Sequence, residues 1–451
     1  MAHILCMTSG LTGILHASYE VVARLEAAGH RVSYACPHEV RERVEAQGIA
    51  YHQLPAVNFS PAPALPLIEG PWRVLKKVWL ALHRLQARRE AAVTNMAMDQ
   101  FEALLEELRP DLLLMDMELH DHIITAVAGG HHVVLMSPWF CSWRRPGLPP
   151  IDSPVIPGKG FSGSPSGRWL IGTRSRVDRW LRNQKSALRS GFVDRRSILR
   201  YYARSVGFPM HLLESGNWPP PYTYDDLTVL SLASGALEFP HAPRPGFHHV
   251  GPVVSIDRVD PASDSATEER LDALLGGCSE KDATLIVCTV TTMDGENEDL
   301  GFIQRLAEAV RDRPDWTVIV AMGGSDASRL GPLPTNVHAF SWVPQARLLA
   351  SADLSINHGG IHTINECLYF GVPMLIFSGG RHDQPGTVAR VAWAGLGHTG
   401  DRASDDVSTI AGRIDAVLSD QTLRRRVLSA SAAARSRAAR ERLALVIADE
   451  L

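Results

Sequence analysis

The sequence predicts an α/β protein built from two parallel-sheet domains, and three observations carry that prediction. The chain has 451 residues, too long for one ordinary core and suited to two domains of about 200 residues each. Its beginning runs apolar strand, glycine-bearing turn, amphipathic helix, Gly29-His30 stop and second strand, which is a βαβ unit. The same order starts again at Thr284–Thr289, after a polar and acidic stretch.

The elements follow in order. His3–Met7 is a short apolar strand, and residues 8–13 form the turn after it. Over 16–28, Val21, Val22, Leu25 and Ala28 stand at helical spacing, and 31–35 is the next strand. Residues 99–108 read as a helix stopped by Pro110, and 111–115 and 132–136 as strands. In the second half a helix is expected at 300–311, with strands at Trp316–Ala321, Leu354–Asn357 and Met374–Phe377. Residues 420–447 are expected to form one long Arg/Ala-rich helix. The expected division is an N-terminal domain over 1–250, a linker over 251–282, a C-terminal domain over 283–425 and a final helix over 426–451 returning to the first domain.

Composition excludes several classes. Hydrophobic residues make up 45% and charged residues 21%, which is globular rather than disordered. A net charge of −4 gives no nucleic-acid signature. The cysteines Cys6, Cys36, Cys141, Cys278, Cys288 and Cys367 are scattered without zinc spacing, so reduced thiols and a cytoplasmic protein are expected. The N-terminus has no basic region before an apolar run and reads as a strand, not a signal peptide. No stretch reaches the roughly 18 apolar residues of a membrane span.

The chemistry concentrates between Phe340 and Gly397. Leu354–Asn357 is a strand, His358-Gly359-Gly360 the turn after it, and 361–370 a helix. Two glycines let backbone amides approach a ligand closely. A helix N-terminus presents free N–H groups and partial positive charge, which favours phosphate. His358 and Thr363 can hydrogen-bond phosphate oxygens there, and Glu366, one turn along, can accept two sugar hydroxyls. Trp342 offers a flat face to a nucleobase. Asp383-Gln384, on the loop after the next strand, can grip the hydroxyls of a second sugar.

The spaced set Trp342-Val343-Pro344-Gln345, His358-Gly359-Gly360, Thr363, Glu366, Gly371-Val372-Pro373 and Asp383-Gln384 resembles the donor signature of nucleotide-sugar-dependent glycosyltransferases, the plant secondary-metabolite, bacterial macrolide and carotenoid enzymes. The resemblance implies the GT-B fold, two Rossmann-like domains facing across a cleft with a C-terminal helix crossing back. It implies that Trp342 stacks on the base, Gln345 touches the ribose, His358 and Thr363 hold the diphosphate, Glu366 binds ribose hydroxyls, and Asp383 and Gln384 bind the transferred sugar. Val343, Gly359, Gly360 and His362 complete the expected donor site, with Thr289 at the first loop of the second domain. The likeness is weak over 140–225.

Three departures stand out. The position of the family's catalytic histidine is Ile14, and the nearest imidazole is His16, about 200° away on a helix. The family's Ser-x-Gly-Thr loop is Thr289-Val290-Thr291-Thr292, and His362 precedes Thr363 where Gly or Asn is usual. The implied reaction is inverting transfer from a UDP- or TDP-sugar without metal or other cofactor. Asp116 matches the family's orienting aspartate, and His16, His120 and His122 are candidates for the base.

The expected acceptor is a hydrophobic natural product bound in the first domain, with Trp139, Phe140 and Trp143 at the edge of its mouth. Residues 72–89 and 174–189 set Trp and aliphatic side chains against Arg and Lys, and 144–204 holds fourteen Lys/Arg to three Asp. The favoured expectation is that these helices pack their apolar faces on the core; the alternative is peripheral contact with an anionic membrane. Monomer and homodimer both stay open, as do two rival functions: a non-catalytic donor-binding paralogue, and a nucleotide-sugar epimerase on the same fold.

Overall fold

The computed structural model describes residues 1–59, 68–214, 221–259, 264–289 and 296–451. Positions 290–292 of the Thr289–Thr292 loop therefore lie outside the described residues.

Two parallel sheets organise the chain. The first half supplies β1 (His3–Met7), β2 (Arg31–Cys36), β3 (Ala50–Gln53), β4 (Leu112–Asp116) and β5 (Val133–Ser137). A small antiparallel pair follows, β6 (Leu213–Glu214) and β7 (Thr223–Tyr224), and then β8 (Val229–Ser234) and β9 (Phe247–Gly251). The order in space is β3-β2-β1-β4-β5-β8-β9. The second sheet holds β10 (Thr284–Thr289), β11 (Trp316–Ala321), β12 (Val337–Phe340), β13 (Leu354–Asn357), β14 (Met374–Phe377) and β15 (Gly397–Gly400), ordered β12-β11-β10-β13-β14-β15. Runs such as Leu112-Leu113-Leu114-Met115 are apolar throughout because both faces of a parallel sheet are covered, and all four side chains are buried.

In each sheet the strand order reverses once, between β1 and β4 and between β10 and β13. Loops diverge there, which leaves a crevice at the carboxyl ends of the strands.

The helices of the first half are α1 (Thr12–Ala27), α2 (Arg41–Glu45), α3 (Arg73–His83), α4 (Leu85–Thr94), α5 (Met98–Leu108), α6 (His120–Ala128), the short α7 (Gly160–Gly163), α8 (Pro165–Ser190) and α9 (Arg195–Ser205). The second half adds α10 (Ser265–Lys281), α11 (Glu296–Ala309), α12 (Gln345–Leu349), α13 (Ile361–Phe370), α14 (Gln384–Ala394), α15 (Val407–Ser419), α16 (Gln421–Ala434) and α17 (Arg437–Glu450).

The stretch expected as one helix over 420–447 is two. Ser436 breaks it and caps α17 by accepting the Ala439 N–H at 3.3 Å. α17 crosses back to the first domain: Leu443 and Ile447 join the core under α1, and Glu450 accepts from the Thr228 hydroxyl at 2.6 Å. The stretch expected as linker contains the 17-residue α10, whose Leu271 is fully buried with the core.

The expectation that α3 and α8 pack their apolar faces inward is corrected by the structure. Along the 26 residues of α8 only Gly167 is buried. Trp169, Leu170, Val177, Trp180, Leu181 and Leu188 form one outward stripe, each at least half exposed. Half-buried positions elsewhere on the helix include Ile171, Ser175, Arg179 and Asn183. α3 likewise exposes Leu75, Trp79 and Leu82, with Trp72 exposed just before it.

The domains are joined by a buried polar lock. Arg390 of α14, fully buried, donates from Nε and Nη2 to Glu238 Oε1 at 3.0 and 2.8 Å. Its guanidinium lies over Phe140 at 4.5 Å and Phe239 at 4.6 Å, while Glu238 also accepts the Cys141 and Phe239 amides. Removing one partner of such a pair strands the other charge in apolar surroundings. Arg390→Met is expected to cost about 3–5 kcal/mol in urea unfolding, and Arg390→Met with Glu238→Gln to recover part of it. A single substitution costing under about 1 kcal/mol would show that the lock contributes little.

Candidate functional site

The site begins at the β10/β13 crevice. After β13 the chain turns through His358, Gly359 and Gly360 into α13. Gly359 has φ +88, and a Cβ there would lie 2.7 Å from Val388 Cγ2. At Gly360 a Cβ would lie 2.6 Å from His358 Nε2. The glycine pair thus lets the imidazole fold over the start of the helix. Asn357 Oδ1 accepts the Gly359 N–H at 2.9 Å and fixes the turn. No side chain caps α13, so its first N–H groups are free to meet a ligand. Burial lowers the pKa of His358, leaving a neutral ring at this end, and its Nδ1 has no partner among the described residues.

Glu366 points back along α13 and is engaged on both oxygens. Gln345 Nε2 donates to Oε2 at 2.6 Å and lies 3.3 Å from the Thr363 hydroxyl. Arg258 Nη1 donates to Oε1 at 2.7 Å. Trp342 is partly exposed beside buried Val343, just before α12. Thr289 ends β10 opposite Asn357, with its hydroxyl buried. The cavity of about 10 Å³ behind His358 is lined by Thr289, Phe302, Asn357, Phe377 and Arg402.

Across the cleft the β1/β4 crevice faces this turn. A Cβ at Gly13 of α1 would lie 2.3 Å from His362 Cδ2, so the two helix starts touch. His16, one turn on, receives an N–H from Arg43 Nη2 at Nε2, 3.0 Å away. Burial, Arg258, Arg43 and His362 together push its pKa down to about 2. Burial and Arg258 push His362 down to about 4. Asp116 closes β4 and accepts the Ser9 and Glu118 amides at 3.0 and 3.1 Å; burial still raises its pKa. Glu118 is pushed up to about 7 by burial and Asp116, with Asp383 of the other domain adding to the rise and Arg195 opposing it.

Asp383 precedes α14, and burial raises its pKa. Gln384 Oε1 accepts the Gly379 N–H at 3.1 Å, which folds its amide onto its own loop.

The other candidates lie elsewhere. His120 is 1% exposed and pairs through Nδ1 with the Tyr224 hydroxyl at 2.8 Å. His122 is equally buried and pairs with Asp121 at 2.8 Å. Trp139, Phe140 and Trp143 were expected at an open mouth, but they are 9%, 1% and 5% exposed. Phe140 is held under Arg390 and Trp143 under Arg244, whose guanidinium sits 4.1 Å from the indole. Arg43, Glu118 and Arg258 were not singled out from the sequence. Glu118, two residues beyond Asp116, is the one whose position offered a signal. Among the described residues no three His, Cys, Asp or Glu side chains gather in a metal-binding group.

Two facing parallel sheets, with an uncapped helix start at one switch point and a second helix start opposite, give the GT-B fold, and the solved structures that share it over the whole chain are glycosyltransferases. Residues 305–444 match the family model described as "Erythromycin biosynthesis protein CIII-like, C-terminal domain". The chain is 37% identical over 134 residues to a demethyllactenocin mycarosyltransferase of Streptomyces fradiae, covering 29% of this chain and 28% of that protein. It is 25% identical over 382 residues to an oleandomycin glycosyltransferase of Streptomyces antibioticus, covering 83% of this chain and 74% of that one. The glycotransferase of kitacinnamycin superposes over 100% of this chain and 99% of its own, with TM-score 0.63 and 22% identity. The spinosyn rhamnosyltransferase SpnG, in a complex with thymidine diphosphate, superposes over 100% of both chains, with TM-score 0.56 and 17% identity.

The raised pKa of Glu118 has a consequence for stability. The folded carboxyl holds its proton where the unfolded one, near 4.5, has released it. Its stabilising contribution is therefore complete below about pH 4.5 and is lost as pH rises through about 7. Glu118→Gln is expected to match wild type near pH 5 and to exceed it at pH 8 by on the order of 1–3 kcal/mol in urea unfolding. Equal stability at both pH values would place Glu118 in contact with water.

Proposed function

We propose that the protein is an inverting, metal-independent glycosyltransferase that moves a sugar from a TDP- or UDP-sugar to a hydrophobic natural-product acceptor. The observation that carries this reading is the uncapped start of α13, with His358, Thr363 and Glu366, at the β10/β13 switch point and opposite the start of α1. The thymidine diphosphate complex of a like fold and the antibiotic glycosyltransferase relatives support the donor class.

In this reading residues 1–250 take the acceptor and 283–425 the donor. Trp342, Val343 and Gln345 hold the base and ribose. Thr289, His358, Gly359, Gly360, His362 and Thr363 surround the diphosphate. Asp383 and Gln384 hold the sugar, with the amide of Gln384 swinging off Gly379. The acceptor lies on the side of Trp139, Phe140 and Trp143. His16 takes the acceptor's proton, and Asp116 orders the loop beside it. The free N–H groups of α13 stabilise the charge on the departing diphosphate.

The test is calorimetry and nucleotide release with TDP-glucose and UDP-glucose in EDTA. His358→Ala is expected to weaken donor binding at least about tenfold. His16→Ala is expected to keep donor affinity and lose about 10²–10⁴ in turnover. Unaltered donor binding in the first variant removes the donor assignment, and full activity in the second removes His16 as base. Nucleotide release by donor alone, with the sugar inverted at another carbon, would favour an epimerase.

The protein is further proposed to be cytoplasmic, with α3 and α8 touching an anionic membrane through their outward Trp and aliphatic stripes. Among the described residues no helix is long and apolar enough to cross one. Co-sedimentation with phosphatidylglycerol vesicles, and its loss in Trp169→Glu/Trp180→Glu, is expected. Wild type remaining in the supernatant would remove the membrane contact.

A further inference from the structure

Arg258 is tied to both domains. Gln47, just beyond α2, pins its neighbour Val259 by accepting the Val259 N–H at 3.1 Å and donating to the Val259 carbonyl at 2.7 Å. From this anchor the guanidinium donates to the Ser255 carbonyl at 3.1 Å and crosses to Glu366 at 2.7 Å. The two side chains are 7% and 9% exposed, so the ion pair is buried. Arg258 also stands close enough to His16 and His362 to add to the burial that lowers the pKa of both imidazoles.

The charges around this point do not balance. Arg258 and Arg43 each carry a full positive charge, and the starts of α1 and α13 add partial ones, neither capped by a side chain. Glu366 is the carboxylate in direct contact with Arg258, and Gln345 already occupies its other oxygen. In the donor reading Glu366 is the group that accepts ribose hydroxyls. A ribose arriving there competes for the oxygen that Arg258 holds.

We propose that Arg258 is a donor-binding residue whose guanidinium leaves Glu366 and takes the diphosphate when the nucleotide binds. Glu366 is its resting partner, and the exchange couples ribose recognition to diphosphate recognition. This inference rests on the donor reading above. In the transfer, the acceptor oxygen forms its bond to the anomeric carbon and the bond from that carbon to the diphosphate oxygen breaks. The bonding electron pair leaves with the diphosphate, which gains one negative charge, and the acceptor's proton goes to the base. A planar guanidinium can meet two phosphate oxygens at once, which suits it to that added charge.

The experiment compares TDP with thymidine, and UDP with uridine, by calorimetry on the full chain. Wild type is expected to bind the diphosphate more tightly than the nucleoside. Arg258→Met is expected to lose about 10- to 100-fold in diphosphate affinity, to keep nucleoside affinity within about twofold, and to lower kcat. Arg258→Lys is expected to recover part of the diphosphate affinity. Because Arg258→Met leaves Glu366 unpaired, Arg258→Met/Glu366→Gln is compared with Glu366→Gln alone, and the same selective loss of diphosphate affinity is expected. Unchanged diphosphate affinity, tighter binding, or an equal loss for nucleoside and diphosphate overturns the proposal and makes Arg258 a latch between the domains. Failure of wild type to bind any of the four ligands overturns the donor reading and this inference with it.

Discussion

Two helix starts meet in this molecule, and most of what is unusual about its cleft follows from that. Each parallel sheet sends its helices away from the carboxyl ends of its strands, so every such edge is lined with unpaired N–H groups. Turning two such edges toward each other brings the start of α1 against the start of α13, close enough that Gly13 has no room for a side chain beside His362. Positive potential is concentrated there, and Arg43 and Arg258 add to it. The chain answers with neutral imidazoles and with Glu366. A pocket so arranged favours an anion, and a diphosphate brings more negative charge than one carboxylate.

The arrangement holds because the domains are clamped nearby by contacts of another kind. Arg390 is sunk between Phe140 and Phe239 with its charge answered by Glu238, so the clamp combines an ion pair with ring stacking. Asn365, one turn beyond His362 on α13, accepts the Ser234 amide and donates to the Leu232 carbonyl of β8. α13 is therefore wedged between the domains, with its start on the cleft and its body in the interface. Gly386 serves the same closeness, since a Cβ there would lie 1.8 Å from the Ile151 carbonyl oxygen. The His358–Gly360 turn and the interdomain contacts share α13, so in the proposed reading a donor bound at the turn acts on a helix that both domains hold.

Local signals made the framework legible. The strands and the turn at His358–Gly360 are written in short apolar runs, glycines and helix stops, and each depends on neighbours within a few residues. What long-range packing decides was hidden. Arg258 reads as one polar residue in a polar linker, and its meaning comes from a partner 108 positions away. The aromatic cluster Trp139, Phe140 and Trp143 carries no mark that distinguishes a ligand wall from a domain clamp, and here two of its members lie beneath arginines. α8 was misjudged because an amphipathic pattern tells which residues share a face, not which face turns inward. The half-buried positions on its other side include small and polar residues such as Ser175 and Asn183.

The base is where the electrostatics press hardest on the proposed mechanism. Ile14, where the resemblance implies a histidine, is 3% exposed and belongs to the core under α1. His16 faces α2 and the linker instead, and its Nε2 lone pair already receives the Arg43 N–H. With its pKa pushed down to about 2, the ring at rest is a poor proton acceptor. The causes are burial first, then Arg258, Arg43 and His362, and a bound diphosphate would answer only the two cations. Counter-charge beside Arg258 and Arg43 weakens their hold on the imidazole, while burial, the largest cause, keeps the pKa below the ordinary value. A ring still held low by burial can take a proton only from an acceptor that gives it up readily. In the proposed reaction that favours acceptors with acidic hydroxyls, because a weak base suffices for them.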